Sequence, residues 1–519
     1  MIKSKYYLFL SILLVFAFIP NSEEPVDRDL VNQIREVALE KSQVENLSHN
    51  LTDFIGPRLS GSTNLRRARA WTSEKFAEWG LTNIKEDPYG EFGRGWNVKK
   101  QYIAMTEPYY QQLIATPKAW TDGTNGPVSS EVVMIQAETL EDLDKYKGKL
   151  KGKIVMMPTS LAVATSFEPE ARRWSDDQLD ALANPQPSGD QGQRGGGGAR
   201  DPEMMARIQL QRQIALAAND LFLSEGAALR ITGTRGNFGT VFHSAGGSYS
   251  VDKKATMPEL EMSLEHFGRI QRLIENGKTV KLDAEVQVEW LDDDYKGYNV
   301  LADLEGTDPA LKDQVVILGA HLDSWHAGTG ANDNAAGVIV MMEAMRILKE
   351  LGVQPRRTIR IALWGEEEQG LYGSRGYISK YVADRQSFEK KEQWDKISAY
   401  YNIDNGSGKI RGINLQGIEA LAPIFTAWFE PFADLGASTI SLRSVGSTDH
   451  VAFNAVGVPG FQFIQDPIDY GRGYHTNMDL YERLQIDDMK QMAAIVAAMV
   501  IHTANRDEML PRNPWGEDQ

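Results

Sequence analysis

Only eight histidines occur in this 519-residue chain, and two of them share one polar turn with two aspartates. Residues 319–337 read GAHLDSWHAGTGANDNAAG and hold His321, Asp323, His326 and Asp333. Similar groups recur further along: Glu366, Glu367 and Glu368 in GEEEQG, Asp404 in NIDNGSG, and His475 in YGRGYHTNMD. The chain has no cysteine and no HExxH helix, so a zinc site would have to use imidazole and carboxylate. With His326 and Asp323 set aside and one ligand taken from the glutamate run, two histidines and three carboxylates remain, too many for one catalytic zinc that keeps a position open. They suit a two-metal site with ions about 3.5–4 Å apart, one carboxylate bridging and a shared water acidified into a nucleophile. A further carboxylate must take the water's proton and hand it to the leaving amine. Glu367 and Glu368 are adjacent and could divide those tasks, one binding metal and one standing over the water.

These residues need a scaffold that brings them together. The run VVIL (315–318) before the first turn is continuously apolar, as in a buried strand, and VIVMM (338–342) after it suggests a buried helix. From about residue 295 strands and helices alternate, with strand candidates QVVILGA, TIRIALWG, ISAYYNID and VPGFQFIQ. Alternation of this kind predicts an α/β fold, a mostly parallel mixed sheet flanked by helices. Each strand candidate ends in a possible ligand or base, and parallel strands deliver their carboxyl ends to one edge, where open α/β sheets bind ligands. Singly the features are ordinary: a glutamate run is usually a solvated surface, and Asp before Asn is usually a turn. Their coincidence at consecutive strand ends carries the reading. Asp323, two positions after His321, can lie on the same side of an extended segment and orient that imidazole. His326 and His450 are spare, and GSTDH (446–450) is expected to shape the pocket.

Composition is that of a globular protein, 42% hydrophobic and 24% charged, and the length calls for two or three domains. A net charge of −16 argues against a nucleic-acid partner. Lys3 and Lys5 ahead of the apolar run 6–20 read as a signal peptide over residues 1–22. The protein is thus expected to be exported, periplasmic or extracellular, free of the membrane after cleavage. With no cysteine it cannot be a lipoprotein. Residues 23–116 are expected to form the N-terminal part of a catalytic domain, with helical spacing over 29–54, a break at IGPRLSGS (55–62) and a second helix after it. Residues 117–282 read as an inserted smaller α+β domain containing a low-complexity loop at 184–202, and 283–519 as the main catalytic domain. Oligomeric state is not legible.

The motifs GAHLDSW…GANDNAAG, WGEEEQGLYGS, NIDNGSG, STDHVAFNAVGVPG and YHTNMD resemble, in order, those of metallopeptidase family 28, and IGPRLSGS is also similar to the family. The resemblance implies the zinc exopeptidase (phosphorylase/hydrolase-like) fold with a protease-associated insert, two Zn2+ ions and peptide substrates. It implies that His321 and Asp404 hold one zinc, Glu368 and His475 the other, with Asp333 bridging and Glu367 as general base. The family's oxyanion tyrosine near the serine–aspartate motif is missing, leaving Tyr470 or Tyr474 as substitutes. An aminopeptidase is the first expectation. The alternative is a carboxypeptidase or dipeptidase of the plasma glutamate carboxypeptidase type, needing a cation such as Arg472 or Arg443. A non-catalytic receptor-like module is a third reading, disfavoured by the complete ligand set.

Overall fold

The computed structural model describes residues 24–184, 202–253 and 256–515. The expected signal peptide and nearly all of the expected low-complexity loop lie outside the described residues. Two eight-stranded sheets organise the chain. In the first, Val315–His321 is buried at every residue and lies parallel to Thr358–Trp364 on one side and Ile397–Asn402 on the other. Gly460–Gln465 adds a fourth parallel strand beyond Ile397–Asn402. The strand Lys296–Leu304 pairs antiparallel with Thr358–Trp364 on one flank, and Ile410–Asn414 pairs antiparallel with Gly460–Gln465 on the other. The expected α/β architecture, a mixed sheet with a parallel centre, is what the chain forms.

Helix Ala336–Glu350 is buried from Ala336 through Leu348, which explains its nearly unbroken apolar sequence. With Ile486–Asn505 and Arg28–Glu40 it covers one face of the sheet. Each fully buried side chain such as Ile339 contributes roughly 1.5–3 kcal/mol relative to exposure. Trp364 and Tyr400, on strands, pack with Tyr377 and Phe453, on short helices, in a separate aromatic core. Among the described residues no helix is long and apolar enough to cross a membrane.

The second sheet has its own core. Its longest pairing is an antiparallel ribbon of Gly95–Glu107 with Lys281–Leu291, so its strands reach beyond the expected 117–282 on both sides. The preceding strand, Thr82–Glu91, instead pairs with Lys296–Leu304 in the first sheet, where Glu91 faces Lys296. The chain thus crosses between sheets at 92–94 and returns just before 296. The crossing is tight: a Cβ at Gly95 would lie 2.1 Å from the carbonyl oxygen of Gly61, in the IGPRLSGS segment.

Candidate metal centre

His321 is the last residue of its strand. Its Nδ1 lies 3.1 Å from the main-chain oxygen of Asp323, which leaves Nε2 facing Asp333 Oδ1 at 3.2 Å and Asp404 Oδ1 at 3.4 Å. The carboxylate of Asp323 is less close to the ring, 3.6 Å from Nδ1. It accepts instead from the backbone N–H of Glu367 (3.0 Å), the N–H of Glu368 (3.3 Å) and the Ser60 hydroxyl (3.1 Å). The expected orienting contact to His321 is therefore made by the carbonyl, while the side chain fixes the neighbouring strand end. Asp323 is a positioning residue for Glu367 and Glu368.

Asp333 reaches both histidines. Its Oδ2 is 3.1 Å from His475 Nε2, which lies 2.9 Å from Glu368 Oε2. Two groups able to hold a metal result, His321–Asp333–Asp404 and Asp333–Glu368–His475, with Asp333 common to both. All five expected ligands converge from the ends of four parallel strands or the loops beyond them, His321 and Asp333 both following Val315–His321. The turn is tied down locally: Asn334 donates to the Ile403 carbonyl beside Asp404 at 2.8 Å and accepts from Gly337 N–H at 3.1 Å.

Supporting residues that the sequence alone did not single out come from remote segments and, for Trp325, from the turn itself. Asp479 accepts the N–H groups of Asn332 and Asp333, at 2.7 and 3.0 Å. Arg58, fully buried, donates to the carbonyls of Leu322, Gly56, Thr329 and Gly330 at 2.7–3.2 Å. Trp325 Nε1 donates to Glu368 Oε2 at 2.9 Å. The motifs IGPRLSGS and YHTNMD were visible signals for the first two, but nothing in them announced these partners.

Glu367 lines a cleft of about 710 Å³ that also exposes Asp333, Glu368, Asp404 and His475. Glu366 turns away from it, buried against the Tyr89 hydroxyl at 2.8 Å, and burial together with the charge of Asp323 pushes its pKa up to about 8. Tyr470 and Tyr474 stack on each other in the cleft wall, with the Tyr470 hydroxyl 3.4 Å from Asp404 Oδ1. Val445, Gly446, Ser447 and Thr448 also line it, so the segment around GSTDH does shape the pocket. His450 and His326 stay out of both groups, bonded to the carbonyls of Val445 and Pro117. Arg472 is taken up by Glu170, and Arg443 is exposed away from the cleft lining.

Nε2 of His321 and Oε1 of Glu368 are buried without a satisfying hydrogen bond, one in each group. Imidazoles and carboxylates with such orphaned atoms fit a pair of divalent cations of the zinc type. Electrostatics agree. Burial opposes a charge on His475, yet its hydrogen bonds to Asp333 and Glu368 prevail and push its pKa up to about 10. Burial likewise opposes charge on His321, but Asp404 and Glu367 hold its pKa well above the ordinary value. Both shifts favour the protonated form of the rings in the metal-free chain. The stabilisation that His475 gains is complete below its ordinary pKa of 6.5 and is lost as pH rises through about 10. Since a metal takes neutral imidazole, uptake must expel protons. Calorimetric titration of the metal-free chain with Zn2+ near pH 7, in buffers of different ionisation enthalpy, is expected to show about one proton released per ion. A buffer-independent heat would mean that the rings are already neutral.

Residues 299–500 match the family model of peptidase family M28, and they form a metallopeptidase domain of that family, a hydrolase. Along nearly the whole chain it is similar to carboxypeptidase Q of Mus musculus, 24% identical over 468 residues that cover 89% of this chain and 86% of that one. A peptidase M28 precursor from Shewanella amazonensis shares the fold with a TM-score of 0.64 and 23% identity, covering 94% of this chain and 99% of that one. A zinc aminopeptidase from Bacillus subtilis does so with a TM-score of 0.53 and 17% identity, over 90% and 95% of the two chains.

Proposed function

We propose that the protein is an exported two-zinc exopeptidase that removes residues from the carboxyl end of short peptides, dipeptides included. The observation that carries the two-metal reading is the sharing of Asp333 between two histidine–carboxylate groups at the edge of a cleft. His321, Asp333 and Asp404 would hold one zinc, and Asp333, Glu368 and His475 the other. When bound, the pair supplies an acidified water and a Lewis acid for the scissile carbonyl. Glu367 takes a proton from the attacking water and delivers it to the leaving amine nitrogen as the C–N bond breaks. Asp323 holds the Glu367 and Glu368 amides while this happens. Peptides are the substrates implied by the family. The basic start and apolar run before residue 23 support export.

Arg235, from the second sheet's side, supports the carboxyl-end reading over the aminopeptidase first expected. Its guanidinium lies 3.7 Å from the centre of the Phe242 ring and donates to the Tyr474 hydroxyl at 3.4 Å, beside the cleft. Among the described residues no carboxylate pairs with it, so its charge is available to a substrate's terminal carboxylate. Carboxypeptidase Q, by its name, also supports this reading.

The test is mass spectrometry of one peptide digested in free, N-acetylated and C-amidated forms. Shortening from the carboxyl end, indifferent to acetylation and blocked by amidation, is expected. Arg235→Ala should raise KM for the free peptide about tenfold with kcat little changed, the loss of one charge-assisted hydrogen bond at an exposed site. Loss from the amino end, blocked by acetylation, would make the enzyme an aminopeptidase. Cleavage of dipeptides alone would narrow it to a dipeptidase.

A further inference from the structure

His475 is built differently from the other four ligand candidates. It sits on a loop beyond the strand Gly460–Gln465, and it alone of the five has a φ, +57°, in the left-handed region that non-glycine residues rarely occupy. Such a conformation persists only where the surroundings over-determine it. Here much of that restraint comes from the second sheet's side of the molecule.

Residues 239–243 run antiparallel to 475–477. The N–H of His243 donates to the His475 carbonyl at 2.8 Å, and Phe242 pairs with Thr476. Asn477 closes the ladder with three bonds. Its N–H donates to the Val241 carbonyl (3.2 Å), its Oδ1 accepts the Val241 N–H (2.8 Å), and its Nδ2 donates to the Gly239 carbonyl (3.3 Å). The Phe242 ring also lies 5.5 Å from the His475 ring. His321 and Asp404, by contrast, are placed by adjacent parallel strands of the first sheet and by the Asn334–Ile403 link between them.

We propose that the second sheet unit clamps one half of the metal centre: through Asn477 as positioning residue, it sets His475 and hence the site formed with Asp333 and Glu368, while the site of His321 and Asp404 is built without it. The inference rests on the two-metal reading and adds an asymmetry to it. Occupancy of the second site reports whether the two units are docked, and opening that contact would empty one site and leave the other.

The experiment titrates metal-free full-length protein with Co2+, followed by its d–d absorption and by calorimetry, with bound metal counted by mass spectrometry. Wild type is expected to take two ions. Asn477→Ala should bind the first as wild type does and the second about 10–100-fold more weakly, the usual effect of removing an outer partner of a metal ligand. Asn477→Asp keeps the acceptor for the Val241 N–H and should recover most of the second ion's affinity. It also carries the test should the alanine variant not fold. Two ions bound by Asn477→Ala with wild-type affinities would overturn the clamp, as would an equal weakening of both, which marks a general loss of structure. Fewer than two ions on wild type would bring down the two-metal reading itself, and the clamp with it.

Discussion

Glu367→Gln is expected to lower kcat by about 10²–10⁴-fold while leaving metal content and KM nearly unchanged, because it removes a proton acceptor without removing a ligand. The replacement is nearly isosteric, and the backbone N–H that Asp323 holds at 3.0 Å stays in place. Glu367 is suited to the task by its surroundings. Burial first, and then the charges of Asp404, Asp449 and Glu368 against that of His321, hold its pKa well above the ordinary carboxylate value. Glu368→Gln should behave differently, because Glu368 contacts His475 at 2.9 Å and belongs to a metal-holding group. Steady-state kinetics beside metal analysis separate the two. Turnover of Glu367→Gln within tenfold of wild type would mean that the proton is carried elsewhere.

Arg58→Met is expected to destabilise the fold by about 3–5 kcal/mol, because several buried carbonyls would be left without a donor. Four carbonyls of the loop segments 56 and 322–330 would lose their donor at once, and Asp479 would lose a nearby positive charge. Burial lowers the Arg58 pKa only to about 10, with Asp479 and Asp323 opposing, so the guanidinium is charged throughout the neutral range. Arg58→Lys should rescue little, since one ammonium cannot reach carbonyls arranged around a planar fork. Urea unfolding gives the stability directly. A midpoint close to wild type would show that water can replace the guanidinium. Metal affinity should fall too, because the loop that Arg58 stitches runs between His321 and Asp333.

His321, Asp333, Glu368, Asp404 and His475 were legible because topology did most of the work. Apolar runs marked the strands, parallel order sent their ends to one edge, and residue type marked the candidates. The division between Glu367 and Glu368 came from the family resemblance, and Glu366, an added acid in the same run, proved to be packed against Tyr89. Asp323 illustrates what local spacing misses. It sits at the right distance along the chain to orient His321, yet its side chain is drawn to two amides at the neighbouring strand's end. Arg58 and Asp479 were missed for the same reason on a larger scale, since Arg58 reaches Leu322 across 264 residues of sequence. Arg235 was invisible because its relevance depends on how the second sheet unit docks. That unit's edges were also hidden: Gly95–Glu107 joins it only through its pairing with Lys281–Leu291.

The crossing of the chain between sheets bears on how the protein can fold. Glu91 and Lys296 are neighbours across the first sheet, and everything between them, residues 92–295, emerges from what is topologically a hairpin turn. Closing so long an unstructured loop costs entropy that grows with the logarithm of its length, before any pairing of Thr82–Glu91 with Lys296–Leu304 can repay it. Once Gly95 is zipped to Leu291, however, only the few residues flanking the ribbon separate the two strands. The ribbon thereby turns a long-range closure into a local one. A nascent chain that completes its second sheet first meets the rest of the peptidase as if it were a polypeptide with a short loop.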